Sequence, residues 1–239
     1  MKEFLHASWL GTRRTATGAA ADAIERLVVS LGSVATGISG AAYAVADSDE
    51  VMRRLVPNRR RLNGPQFDPA PAWVLLTELE SLQDSLSFDD ALRARLGEDS
   101  ALHGLVSAAR AVYREITTTV GPAGNEHAPL ADAIQFGRFS MPSPDEDWEI
   151  AKWYQEKRLA SFQVMPGAVR CRRYVVASGG YGRFAVLYEF RSDDDRLAYF
   201  EFLLQARDRD ADADAVSPVP RTVHEPLSSC AGSLVARFA

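Results

Sequence analysis

Two histidines in strand-like segments are the first residues of this sequence that could do acid–base chemistry. His6 lies in "KEFLHASWLG" and His224 lies in "RTVHEPLSS". An imidazole titrates near neutrality, so it can take a proton from a substrate and return it. Because side chains alternate across a strand, His6 and Trp9 lie on opposite faces, and the sequence leaves open which face lines a cavity. A hydrogen-bonded structural histidine is the alternative at both positions.

Tyrosines and tryptophans in neighbouring strand-like segments could hold a substrate beside such a base. Tyr113 and Tyr188 are candidates for orienting a carbonyl or phenol, since a phenolic hydroxyl both donates and accepts hydrogen bonds. Trp9 and Trp73 are candidates for the walls of an aromatic ligand pocket. Packing in the core is the alternative for all four side chains.

The segment "VRCRRY" (169–174) concentrates three arginines on one predicted strand. Alternation places Arg170 and Arg172 on one face and Arg173 on the other. At least one of the three is expected to pair with Glu189 or to lie beside Tyr174. Binding of an anionic group, for which we favour Arg173, is the alternative.

Composition excludes several classes of function. A net charge of −5 and a pI near 5.5 argue against a general nucleic-acid binder. Cys171 and Cys230 lie far apart without metal-ligand spacing, and the acidic run "DRDADADA" lacks the glycine of a calcium loop, so we predict no metal. Residues 27–46 carry no charge but are rich in glycine, so we predict no membrane span. An acidic residue follows Lys2 and the next apolar run is short, so we predict no signal peptide. We expect a cytoplasmic protein.

The second half of the chain predicts a β-α-β-β-α-β order. A strand over 132–141 precedes "PSPDED", a helix start, and the helix ends at Pro166-Gly167. Strands over 168–177 and 183–190 flank the glycine turn "SGGYG", and a helix follows over 192–206. The tail from 220, including "TVHEPLSS", is the predicted last strand. This order is that of a ferredoxin-like unit.

The first half shows the same order, with an insertion over 47–71 that contains "RRLVPNRRR". "AWVLLTELES" aligns with "RFAVLYEFRS", which places Glu78 with Glu189, and "AVYREITT" aligns with "TVHEPLSS", which places Tyr113 opposite His224. We therefore predict two diverged copies of one unit, residues 1–124 and 130–239. The predicted fold class is α+β.

The runs "WYQEKRLASFQVMPGAVRCRRYV" and "GRFAVLYEFRS" resemble the dimeric α/β-barrel superfamily, especially its EthD-like and REDY-like members. The resemblance implies that two ferredoxin-like units pack their antiparallel sheets face to face around a ligand cavity. Here one chain would supply both, as a monomeric pseudo-dimer or in a homodimer. The histidine typical of the family's helix motif falls on Arg158, which cannot act as a base at neutral pH and is instead a candidate for substrate binding.

The superfamily includes cofactor-free monooxygenases, cyclases, isomerases and haem enzymes, so its fold does not determine one activity. We expect an enzyme without a cofactor that acts on a small hydrophobic, aromatic or polyketide-like molecule by proton transfer, of the cyclase, isomerase or lyase type. His224 or His6 would be the base, and Tyr113 or Tyr188 would orient the substrate. The alternatives are a non-catalytic binding or dimerisation module, or a haem protein with His224 as axial ligand.

Overall fold

The structure is a computed structural model that describes residues 2–12, 20–33, 38–47, 54, 60–61, 71–98, 102, 105–180, 182–209, 221–224 and 228–239. Its strands are β1 (Phe4–Thr12), β2 (Ser39–Asp47), β3 (Arg60–Arg61), β4 (Pro71–Leu79), β5 (Leu105–Val120), β6 (Ala133–Ser140), β7 (Ala168–Gly179), β8 (Phe184–Phe190), β9 (Val223–His224) and β10 (Cys230–Phe238). Its helices are α1 (Ala20–Gly32), α2 (Leu82–Glu98), α3 (Pro144–Trp153), a π-helical turn (Tyr154–Arg158), α4 (Leu159–Phe162) and α5 (Asp193–Arg209).

Eight of these strands close into an antiparallel barrel. The hydrogen-bonded order is β2-β4-β1-β5 in the N-terminal half and β10-β6-β8-β7 in the C-terminal half. The halves join twice, because β5 pairs with β7 and β10 pairs with β2. The predicted α+β fold of two fused ferredoxin-like units is thereby confirmed. One chain supplies the whole barrel, while the oligomeric state and the division at residues 124–130 stay predictions.

Hydrophobic side chains form three buried layers. One fills the barrel interior with side chains from strands of both halves, among them Trp9, Tyr113 and Phe136. A second lies between α3, α4, α5 and the outer face of β6, β7 and β8. The third lies between α1, α2 and the outer face of the N-terminal strands. Strand alternation therefore decides whether a side chain faces the interior or a helix.

The predicted helix after "PSPDED" forms as its start signals indicate. Ser143 is the N-cap, its side chain accepts a bond from the backbone N–H of Glu146, and Pro144 occupies the first turn. The chain then turns at Pro166-Gly167 into β7. The predicted hairpin also forms, and Gly179 and Gly180 at its turn have φ of 69° and 73°, a conformation that favours glycine.

The predicted tail from 220 does contain the last strand, but the placement of "TVHEPLSS" in that strand is wrong. Residues 230–238 form β10, whereas His224 lies in the two-residue strand β9, which pairs with Phe139 of β6 and with β3. Pro226 has no N–H for a ladder bond, so the segment around it is poorly suited to a long central strand. Tyr113 pairs with Leu5 of β1 and Gly232 pairs with Ile134 of β6. Gly232, not His224, therefore occupies the position equivalent to Tyr113.

Two features of the sequence analysis lie outside the described residues. They are the loop "RRLVPNRRR" apart from residues 54, 60 and 61, and the acidic loop beyond residue 209. Among the described residues, no helix is long and apolar enough to cross a membrane.

Candidate functional site

His6 faces α2 rather than the barrel interior. Its ring packs edge-on against Phe88 at 5.2 Å between centroids, Nε2 is 3.7 Å from an oxygen of Asp89, and Nδ1 is 3.4 Å from Ser8 Oγ. Burial, which Asp89 only partly offsets, lowers the pKa of His6 from 6.5 to about 4. The imidazole is therefore neutral and weakly basic at neutral pH.

His224 also lies outside the barrel interior, on the face of β6 that α3 covers. Its Nε2 is 2.7 Å from Thr222 Oγ1 and its Nδ1 is 3.2 Å from Ser228 Oγ. The ring is 6.0 Å from that of Phe139, which is stacked on Tyr154 at 6.2 Å. One phenylalanine ring therefore separates His224 from the helix that carries Tyr154.

Trp9 and Tyr113 do face the barrel interior, but their rings help to fill it. Trp9 stacks on Phe136 at 5.8 Å, the guanidinium of Arg138 lies 3.8 Å from the Trp9 ring centroid, and Tyr113 contacts Phe136 edge-on at 6.0 Å. Trp9 and Tyr113 are fully buried. The middle of the barrel is thus packed protein core, where a ligand cavity was expected. Trp73 lies elsewhere, half-buried on the α1 and α2 side.

Three of the predicted site residues meet between the C-terminal sheet and its helices. Tyr188 and Arg173 face outward from β8 and β7, and Arg158 reaches them from the π-helical turn. We call Arg158, Tyr154, Tyr188 and Tyr199 the Arg158 cluster. The guanidinium of Arg158 lies 4.8 Å from the ring centroid of Trp153, and that of Arg173 lies 5.2 Å from the Tyr154 ring centroid.

The π-helical turn explains why an arginine faces the sheet here. In an α-helix, positions spaced by four drift around the axis because one turn takes 3.6 residues. The wider π turn offsets that drift, so Ile150, Tyr154, Arg158 and Phe162 are all buried against the sheet. π turns within α-helices are frequently found at functional sites.

Arg158 is buried without a compensating carboxylate among the described residues. Its exposed fraction is 9%, and its Nε and Nη1 have no hydrogen-bond partner. Burial lowers the pKa of Arg158, but the hydroxyls of Tyr188, Tyr199 and Tyr154 outweigh it and raise that pKa. Burial raises the pKa of Tyr188 well above 10, so its hydroxyl stays protonated. The Arg158 cluster therefore presents N–H and O–H donors to anything that enters it.

A second polar constellation, which the sequence did not predict as a site, lies inside one end of the barrel. Arg170 donates to both carboxylate oxygens of Glu189, at 2.9 Å each. Arg172 donates to Glu189 at 3.0 Å and to Glu78 at 2.6 Å. We call these four residues the buried quartet. The predicted pairing with Glu189 and the shared face of Arg170 and Arg172 are confirmed.

The buried quartet bridges the two halves of the chain. Burial alone would raise the pKa of Glu78, but Arg172 and Arg170 lower it below its usual range. Burial lowers the pKa of Arg172, while Glu189, Tyr174 and Glu78 raise it well above its usual value. Glu78 and Arg172 are therefore charged at neutral pH. The repeat of Glu78 and Glu189 in the alignment was a signal that could have pointed to this site.

Sequence comparison finds no match, either to a known family model or to a curated protein. Solved structures do match the fold over nearly the whole chain. A chlorite dismutase-like protein is 14% identical with a TM-score of 0.61, covering 99% of this chain and 96% of its own. An anthrone oxidase-like protein is 15% identical with a TM-score of 0.60, covering 99% and 93%. A monooxygenase-like protein from Fusobacterium nucleatum is 9% identical with a TM-score of 0.57, covering 99% and 94%.

These neighbours share the fold with this chain. Their identity is too low to transfer an activity. The EthD-like resemblance and its tandem repeat find no separate support among them.

Proposed function

We propose that the protein is a small-molecule enzyme that moves a proton on an aromatic ketone or phenol at the Arg158 cluster. The observation that carries this proposal is the buried guanidinium of Arg158, whose Nε and Nη1 lack partners. An unpaired buried donor costs about 1–3 kcal/mol, so a ligand oxygen that accepts these bonds would recover that energy. An oxyanion would recover the most, because it also compensates the charge.

The surroundings of Arg158 suit an aromatic ligand. The buried rings of Phe139, Phe162 and Phe190 belong to the same hydrophobic layer. They would exclude water and so strengthen the interaction of Arg158 with a developing negative charge. The protonated hydroxyl of Tyr188 would donate a further hydrogen bond to the same oxygen.

The proposed step is an enolisation. A base takes a proton from a carbon that is conjugated with the carbonyl, which in anthrone is the CH₂ across the central ring. The C–H electrons enter the conjugated π system, and the carbonyl electrons move to oxygen. Arg158 and Tyr188 hold that oxyanion, and return of the proton to a different atom completes an isomerisation.

We propose His224 as the base in preference to His6, because it lies on the same side of the sheet as the Arg158 cluster. To take the proton it must give up its bond with Thr222, and the Phe139 ring must move aside. His6 lies under α2, and its lowered pKa makes it a poor base.

The name of one structural neighbour, an anthrone oxidase-like protein, agrees with this substrate class. Anthrone is a polycyclic aromatic ketone with an enolisable CH₂ group, which is the chemistry proposed for the Arg158 cluster.

Haem fits the described residues poorly. A haem iron needs a protein ligand with a free lone pair, most often a histidine nitrogen. Both ring nitrogens of His224, the candidate axial ligand, are engaged by Thr222 and Ser228. Those of His6 face Asp89 and Ser8, and His127 lies exposed in a loop. We therefore route no step through haem.

The proposal is tested with anthrone as the probe, by following exchange of its CH₂ protons for deuterium in D₂O by NMR. Arg158→Met should slow catalysed exchange by about 10²–10³-fold, the usual cost of removing an oxyanion donor. Arg191→Met makes the same change at an exposed arginine and should leave the rate unaltered. Tyr188→Phe and His224→Gln should each slow exchange while the protein remains folded.

The outcomes separate the alternatives. Exchange that is catalysed by the natural protein but unchanged in Arg158→Met would refute the assigned site. Binding of anthrone that needs Arg158 but gives no exchange would favour the non-catalytic binding module. Absence of both binding and exchange would contradict the proposed substrate class.

A further inference from the structure

A pocket of about 840 Å³ opens at one end of the barrel, away from the Arg158 cluster. Its wall combines the start of β1 and β2, the ends of β4 and β5, the loop over 126–129 and the start of β7. The lining residues that bear on its chemistry are Lys2, Glu78, Glu115, Glu126, Arg170 and Arg172. The pocket is therefore lined by charged groups of both signs, and its floor includes three members of the buried quartet.

The floor of the pocket holds a buried donor that lacks a partner. Arg172 is 4% exposed, and its Nε and Nη1 are bound to Glu189 and Glu78, but Nη2 has no hydrogen-bond partner. The hydroxyl of Tyr174, whose ring centroid lies 5.9 Å from the Arg172 guanidinium, also lacks one. Buried donors in proteins are nearly always satisfied, by protein, water or ligand. The floor is thus suited to a ligand oxygen.

The rim of the pocket is suited to a positively charged group, whereas the floor is suited to a hydrogen-bond acceptor. Glu115 accepts a bond from Thr118 at 2.5 Å, and neither Glu115 nor Glu126 has a cationic partner among the described residues. Lys2 donates to Ser39, whose hydroxyl in turn donates to Glu78 at 3.2 Å. Since the buried quartet is neutral as a whole, the carboxylates give the rim an excess of negative charge. A cation at the rim would be attracted.

A metal ion does not meet both requirements. Among the described residues, no group of three or more His, Cys, Asp or Glu side chains could hold one. Nor would a metal ion accept a hydrogen bond from Arg172. An organic molecule with an acceptor at one end and a positive charge at the other meets both.

We propose that this pocket binds a small zwitterionic molecule, with a carboxylate or carbonyl oxygen at Arg172 and an ammonium group at Glu115. The site is independent of the proposed enzyme site, because none of its lining residues belongs to the Arg158 cluster. The protein would then bind a second ligand, which is polar, in addition to the aromatic ligand proposed for the Arg158 cluster.

The experiment uses 6-aminohexanoate as the zwitterionic probe, with hexanoate and hexylamine as probes that carry only one charge each. Binding to the full chain is measured by calorimetry. Glu115→Gln removes the rim charge at a half-buried position, and Glu201→Gln is the matched control on the exposed face of α5. We expect 6-aminohexanoate to bind at least about tenfold more tightly than either single-charge probe, and Glu115→Gln to weaken it by about tenfold.

Three results would overturn the proposal. They are equal binding of hexanoate and 6-aminohexanoate, unaltered binding in Glu115→Gln, and no binding of the zwitterion at about 10 mM. Arg158→Met should leave this binding unchanged, so failure of the enzyme proposal would not be confused with failure of this one. A parallel loss of binding in Glu201→Gln would show that the effect is not local, and would also count against the site.

Discussion

Two buried arginines should respond in opposite ways to replacement by methionine. Arg158→Met should raise the free energy of unfolding, whereas Arg172→Met should lower it. Arg158 has two guanidinium nitrogens without partners, while Arg172 is bound to two carboxylates. Methionine has a similar length and fills irregular space well, so both substitutions keep most of the packing. The difference between them therefore reports on how well each charge is compensated.

For Arg158→Met, the two unpaired donors cost about 1–3 kcal/mol each, so their removal recovers about 2–6 kcal/mol. Loss of the contact with the Trp153 ring, at 4.8 Å, costs about 0.5–2 kcal/mol. Loss of the tyrosine interactions costs about 1 kcal/mol more. The gain exceeds the two losses at the middle of these ranges, so the expected result is an increase of about 2 kcal/mol in the free energy of unfolding, accompanied by the loss of exchange activity described above.

For Arg172→Met, Glu78 and Glu189 lose a shared partner inside the barrel. Breaking a buried ion pair by removing one member typically costs about 3–5 kcal/mol. Both changes are measured by urea unfolding that is monitored by circular dichroism. The slopes of the two transitions are compared with that of the natural protein. If Arg158→Met destabilises the protein by more than about 2 kcal/mol, its guanidinium is well compensated in the free protein and the reasoning behind the proposed site fails.

Further predictions concern titration, packing and backbone conformation. Because the pKa of His6 is lowered to about 4, the unfolded chain binds the extra proton between that value and 6.5. The contribution of His6 to stability is therefore complete above pH 6.5, and the free energy of unfolding falls by up to about 3 kcal/mol as the pH drops toward 4. Urea unfolding at several pH values should show a smaller loss in His6→Gln. Trp9→Ala should cost about 3–5 kcal/mol in the same assay, since the ring fills the barrel interior; a cost below about 1 kcal/mol would contradict that packing. Gly179→Ala should lower the stability by about 1–2 kcal/mol, because φ is 69° there, whereas an unchanged transition would exclude strain.

The C-terminal half was predictable from the sequence because its local signals agree with one another. A cap, an acidic first turn, a proline-glycine stop and a glycine hairpin each favour the same element order. Trp148 shows the limit of periodicity, since helical spacing places it on one side with Ala151, Leu159 and Phe162, yet it is 76% exposed. The π turn, which has no sequence signature of its own, shifts the buried stripe to Ile150, Tyr154 and Arg158.

The candidate sites were less predictable because they depend on contacts between distant segments. Alternation correctly separated Arg173 from Arg170 and Arg172, but it could not say which face is internal. Arg172 and Glu78 are 94 positions apart, and their ion pair exists only because β5 pairs with β7 and closes the barrel. Register of that kind is a property of the whole fold, not of any segment.

The buried quartet breaks the internal symmetry of the barrel in a way that restricts how the chain can assemble. Strand pairing makes Glu78 equivalent to Glu189, but Arg170 and Arg172 are matched by Ser39 and Ala41. Only one N-terminal half and one C-terminal half together give two arginines for two glutamates at this end of the barrel. Two C-terminal halves paired with each other would bring four arginines against two glutamates, and two N-terminal halves would bring two glutamates with no arginine. The same four side chains thus oppose exchange of halves between molecules and favour a barrel closed within a single chain.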